Sequence, residues 1–134
     1  MRFHPDFVSL LSEFAAANVH YLVIGEYAAG FHEGQNVTGE LDLLIGPSDA
    51  NAMRACIALR ALGVPAPVIV DFSRAEDAIV WTGDPPGRIR FFRKAAGVDF
   101  AAAFLRRASF EHENVTIHVL GRGDLASTKR AITS

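Results

Sequence analysis

A single cysteine, Cys56, in 134 residues excludes an internal disulfide framework and fits a reducing compartment. It lies in MRACIALRAL, a helical pattern, and reads as a small core residue rather than a reactive thiol. No apolar run approaches the roughly 20 residues a helix needs to span a bilayer. The opening MRFHPDFVSLLSEF has no sustained apolar core and carries Asp6 and Glu13, so it does not read as a secretory signal, and a cytoplasmic protein is expected. Charge of one sign is scarce too. A formal net charge of −2 gives no reason to expect a polyanion-binding surface. The five histidines show no close metal-ligand spacing, and neither G-x-S-x-G nor a Cys–His arrangement for covalent catalysis is present. Repeats, low-complexity tracts and linkers are also missing.

Half of the residues are apolar and 21% are charged, which suits one globular domain over residues 1–134. Phe7, Leu10, Leu11 and Phe14 follow helical spacing after Pro5 and Asp6. HYLVIG reads as a buried strand bounded by Gly25, EYAAGFHEG as a short helix ending near Gly34, and TGELDLLIG as a second strand. Ser48 is a good N-cap for a helix that stops at Gly63. APVIVDF reads as a short strand or an irregular buried segment, with Pro65 and Pro67 arguing against a central strand. AIVWTG and GRIRFFR read as a hairpin, with Trp81 and Phe91 in its core. VDFAAAFLRRA has a helical pattern. ASFEHE and VTIHVLG flank a turn at Glu113-Asn114, and Asp124 is placed to cap a last helix, DLASTKRAIT. Hairpins together with one β-α-β crossover give an α+β (α/β) class, a mixed β-sheet flanked by helices.

The notable feature is NVTGELDLLIG. Side chains at i and i+2 of a strand share a face, so Glu40 and Asp42 point together while Leu41, Leu43 and Ile45 point the other way. The two acids then stand roughly 6–7 Å apart at the backbone, close enough to converge on one cation. Hard divalent ions take such carboxylates together with substrate phosphates. The bland alternative is a solvated acidic face on an edge strand. Upstream, Gly25 sits at a strand-to-helix turn, where the backbone can approach a phosphate and the helix offers free N–H groups. Downstream, Arg88, Arg90, Arg93 and Lys94 form a cationic cluster, read as a salt-bridging strand face, with anion or nucleic-acid contact as the lesser alternative. His112 and His118, on the two arms of the later hairpin, are read first as surface or hydrogen-bonding residues, with mutual proximity as the lesser alternative.

VHYLVIGEYAAGFHEGQNVTGELDLLIGPSDANAMRACIAL, continued through TGDPPGRIRFFRKAAGVDFAAAFLRRA and LASTKRAI, resembles the bacterial nucleotidyltransferase-fold proteins related to minimal nucleotidyltransferases and AbiEii-type toxins. The resemblance covers nearly the whole chain and implies a nucleotidyltransferase-like fold. It further implies that Gly25 and Glu26 occupy the phosphate-loop pair, that Glu40 and Asp42 are the catalytic, Mg²⁺-binding pair, and that Lys129 reaches the phosphates of an NTP. Active relatives carry a small residue where Glu26 stands and a third acid where Arg90 stands. Glu26 projects negative charge where a triphosphate would sit, and Arg90 places a permanent cation where a metal ligand belongs. Arg90 can neutralise Glu40 and Asp42 in place of Mg²⁺, so no metal is the preferred expectation. The expected function is a catalytically impaired binding or regulatory protein, a toxin–antitoxin component with a protein partner or a homodimer. The alternative is an active Mg²⁺-dependent enzyme moving a nucleotidyl group from an NTP to a hydroxyl of protein or RNA.

Overall fold

The computed structural model describes residues 3–74, 80–84 and 86–133, and of 80, 81 and 129–133 the backbone alone. Helix α1 (Pro5–Ala16) starts on a proline whose missing N–H costs nothing in a first turn, and the His4 ring nitrogen accepts the Asp6 N–H at 3.1 Å. The four apolar positions foreseen for it, Phe7, Leu10, Leu11 and Phe14, are all buried. Strand β1 (Tyr21–Ile24) runs directly into α2 (Gly25–Glu33), which ends on Gly34 in the left-handed conformation. Strand β2 (Leu41–Ile45) is followed by α3 (Asp49–Ala61), N-capped as expected by the Ser48 hydroxyl, which accepts from Asn51 N at 3.1 Å. Then come α4 (Ala66–Arg74), β3 (Val80–Thr82), β4 (Ile89–Phe92), α5 (Phe100–Leu105), β5 (Ala108–His112), β6 (Val115–Val119) and α6 (Arg122–Thr133).

Among the described residues the six strands form one mixed sheet in the order β3-β4-β2-β1-β6-β5. The pairs β1/β2, β3/β4 and β5/β6 are antiparallel, while β1/β6 and β2/β4 are parallel. The chain is therefore mixed α+β, as the sequence pattern indicates. One face of the central strands carries Tyr21, Val23, Leu43, Ile45 and Phe91, all essentially inaccessible. Phe14 of α1 packs on Tyr21 and Phe91, and Phe72 of α4 meets Phe91 edge-on at 5.5 Å. The opposite face carries Leu22, Ile24, Asp42, Leu44, Arg90 and Phe92, by the alternation of paired strands. Among the described residues no helix is long and apolar enough to cross a membrane.

Four expectations need correction. APVIVDF is the helix α4, with Ile69 and Phe72 as its buried stripe. Pro65 directly precedes α4 and Pro67 is its second residue, positions where a missing N–H is harmless, so the prolines that argue against a strand suit a helix start. Asp124 does not precede α6 but lies in its first turn, where both its oxygens accept from Arg106, at 2.8 and 3.0 Å. His112 and His118 do not face each other: His112 pairs with Val115, and His118 lies opposite Ser109. The basic run is not one surface, since Arg93 turns to Phe72, its guanidinium 5.4 Å from that ring. Of the expected hairpin core, Phe91 is buried and the Trp81 side chain lies outside the described residues.

Asn51 is the one buried polar side chain among the described residues. Its amide donates to His20 O at 2.9 Å and Gly46 O at 3.1 Å, and its oxygen accepts from His20 N at 2.7 Å. One side chain of α3 thus completes the ladder where β1 begins and β2 ends. Asn51→Leu removes the side-chain partner of His20 N–H and Gly46 O, while His20 O keeps the Gly46 N–H at 3.0 Å, and is expected to lower stability by about 2–3 kcal/mol, measured by urea unfolding.

Candidate functional site

Strand register brings the residues of interest together. Ile24 of β1 lies opposite Asp42 of β2, and Asp42 lies opposite Arg90 of β4, so the three form one row across the sheet. Gly25 follows directly. Its φ of +69° is a conformation that L side chains rarely adopt, and a Cβ built there would stand 2.9 Å from Asp42 Oδ2. Glycine at this turn is required by the neighbouring carboxylate as much as by the backbone.

The Arg90 guanidinium grips Asp42 with two parallel bonds, Nε to Oδ1 at 2.7 Å and Nη2 to Oδ2 at 2.8 Å. Glu40 lies one residue ahead of β2, rather than within it, and brings Oε2 to 3.2 Å from the same Nε. Asp42 is only 14% exposed, against 36% for Arg90 and 34% for Glu40. The hydrogen bonds Arg90 donates to Asp42, then the charges of Asp42, Glu40 and Glu26, hold the guanidinium above its already high ordinary pKa, against the opposing pull of burial. Glu26, in the first turn of α2, therefore belongs to the same electrostatic neighbourhood. Arg90 also lies 5.5 Å from the Phe92 ring centroid.

Beside this cluster opens a cleft of about 370 Å³, lined by Ile24, Gly25, Asp42, Phe92, Leu125 and Thr128 among others. Leu125 and Thr128 enter from α6. Lys129 follows on the same helix, its side chain outside the described residues. Helix α6 is held in place partly through His32, whose Nε2 donates to Leu120 O at 2.7 Å, and through Arg122, which donates to His32 O at 2.8 Å. Gly25, Glu26, Glu40, Asp42 and Arg90 are thus assembled at one corner of the sheet. Sequence reasoning missed Leu125 and Thr128, for which the only signal was a helical pattern running up to Lys129.

As arranged, the donor set does not suit a divalent cation. A hard ion takes about six oxygen ligands in its shell, whereas both Asp42 oxygens already accept from a guanidinium and Glu40 leans on the same group. Asp71 stays exposed on α4, and Asp99 is engaged as the N-cap of α5, accepting from Ala102 N at 3.2 Å. Neither supplies a replacement acid. Among the described residues no group of three or more His, Cys, Asp or Glu side chains is placed to hold a metal. No protein-family model matches this chain, and no curated protein matches it.

Arg90→Met leaves a largely buried carboxylate without its cation. The guanidinium is partly solvated, so the expected loss lies between that of exposed and buried ion pairs, about 1–3 kcal/mol by denaturant unfolding. Gly25→Ala is expected to cost about 1–3 kcal/mol, combining torsional strain with the clash against Asp42. In an Asp42→Ala background the clash part of that cost should disappear and the torsional part remain, which a double-mutant cycle reads directly.

Proposed function

We propose that this chain is a nucleotidyltransferase-fold protein of the cytoplasm, impaired in or devoid of nucleotidyl transfer. It acts as a binding or regulatory component of toxin–antitoxin type, working with a protein partner or as a homodimer. The observation that carries this reading is the two-pronged bond of Arg90 to Asp42. What supports the reading is that Ile24, Asp42 and Arg90 form one row across β1, β2 and β4, with Gly25 next to Ile24 and Glu40 just ahead of β2. The position where a third acid would complete a metal site instead carries the cation that satisfies the other two.

Charge explains why transfer would fail. The charges of Asp42, Glu40 and Glu26 all bear on a single guanidinium, and together they exceed that of Arg90 by two at neutral pH. An NTP approaching the acids meets surplus negative charge, and Arg90 is already engaged by Asp42, although Lys94 also lines the cleft. The Mg²⁺ that would normally offset that repulsion has no ready ligands while Arg90 stays in place.

A thermal-shift screen with the four NTPs, each with and without Mg²⁺, tests this. The expected result is no metal-dependent rise in melting temperature even with NTP in large excess. The same protein incubated with labelled NTP should transfer no label to itself, to protein or to RNA. Label transfer that disappears in Asp42→Asn would overturn the proposal and establish the active, Mg²⁺-dependent alternative.

A further inference from the structure

The other end of β1 carries a second cluster, with different chemistry. His20 stacks on Phe104 of α5 at 4.6 Å, and His118 of β6 meets the same ring edge-on at 5.9 Å. Arg107, just beyond α5, lays its guanidinium 4.1 Å from the Phe104 centroid and donates its Nη1–H to Phe104 O at 2.8 Å. Its Nε–H points at His118 Nδ1 at 3.3 Å, and the Ser109 hydroxyl lies 3.2 Å from the same nitrogen. Arginine can only donate, so Nδ1 must be the unprotonated nitrogen and the neutral ring carries its hydrogen on Nε2. Helix α5 has six residues, with Ala103 buried and Phe100 and Phe104 packed against the core, so the contacts of Phe104 with His20, His118 and Arg107 form one part of its hold on the sheet. Beneath α5 runs a groove of about 460 Å³ lined by His20, Gly46, Asn51, Phe100 and Phe104 among others.

We propose that His118 and His20 are a pH-sensitive latch on α5: proton uptake by these imidazoles releases Arg107 and Phe104, and α5 lifts from the sheet to widen the groove beneath it. A proton on His118 Nδ1 sets one donor against another and places two cations side by side. The surroundings offer no compensation. Arg54 of α3 and Arg107 both bear on His20, while Arg107 and His20 bear on His118. From β1, the Tyr21 hydroxyl accepts the His118 backbone N–H at 3.3 Å. The acid on the same face of β5, Glu111, is engaged by the Thr116 hydroxyl. Asp99 is occupied at the far end of α5, and Asp124 holds Arg106, which tethers the C-terminal end of α5 to α6 without any histidine. The change is therefore local.

Burial first, and then these cations, hold both imidazoles below the ordinary histidine value of 6.5. A group whose pKa is lower in the closed form than in the released form favours the closed form fully above the ordinary value. That advantage is lost as pH falls through about 6.5 and on to the lowered value.

Amide hydrogen exchange over residues 100–107, corrected for the intrinsic pH dependence of exchange, tests this between about pH 7.5 and about pH 5. In the wild-type chain, protection of α5 should fall several-fold at the acid end while α1 and α3 keep theirs. The pair His118→Gln, which can still accept from Arg107, and His20→Phe, which can still stack on Phe104, should make that protection independent of pH. Unchanged protection in the wild type, or the same acid response in the double variant, overturns the latch. If the double variant does not fold, the wild-type histidine titrations decide by NMR. Both ring midpoints below that of a free histidine, with Phe104 ring protons shifting on the same curve, support it, and any other outcome refutes it.

Discussion

The Asp42 carboxylate is the constraint on which this corner of the molecule depends. A side chain in the middle of β2 must lie between its neighbours on β1 and β4, and at 14% exposure a charge there needs a partner. On the β4 side that partner is Arg90, whose planar fork matches both oxygens. On the β1 side the carboxylate stands so near Gly25 that no Cβ fits. One acid thus constrains the residue type at two positions on neighbouring elements, the start of α2 and the second residue of β4. Glu40, more exposed and a little farther away at 3.2 Å, shares the cation without setting the geometry.

The two faces of the sheet divide the work. Phe14, Phe72, Tyr21 and Phe91 fill the face under α1 and α4 and carry the packing. The opposite face is where polar side chains cluster: carboxylates and a guanidinium at the Gly25 end of β1, histidines and arginines at the His20 end. Burial of Leu22 and Leu44 between them keeps the two clusters separate. Their chemistry differs in kind. At the Gly25 end opposite charges compensate one another, and arginine does not lose its proton in the accessible pH range. At the His20 end the contacts rest on imidazoles staying neutral, so that end of the strand responds to pH in the histidine range.

Periodicity disclosed most of the elements and little of the wiring. The strands around Gly25 and Asp42, the Ser48 cap and the hairpin turn at Glu113-Asn114 all rest on local chemistry and were legible. That turn holds both residues at positive φ, which the twist of a two-residue hairpin demands. The segment 66–74 was misread because a short apolar run between prolines fits a strand or a helix equally until its neighbours are known, and α3 and β3 decide it. At the candidate site, the i/i+2 spacing was enough to bring Glu40 and Asp42 to one cation. The cleft walls supplied by α6, and the joining of His20 to His118 through Phe104, depend on contacts about 90 residues apart or on a ring between two strands, which no local pattern encodes.

The unusual residues at this corner also constrain one another. Without Arg90, the Asp42 and Glu40 carboxylates would lack the cation they share, with the charge of Glu26 in the same neighbourhood. With Arg90 in place, Glu26 is tolerated where it would otherwise repel Asp42 and Glu40. The cation therefore permits the acid in the α2 turn, and that acid in turn makes the corner less hospitable to phosphate. An acid at position 90 would add a fourth carboxylate beside Glu26, Glu40 and Asp42 and remove the cation that holds Asp42.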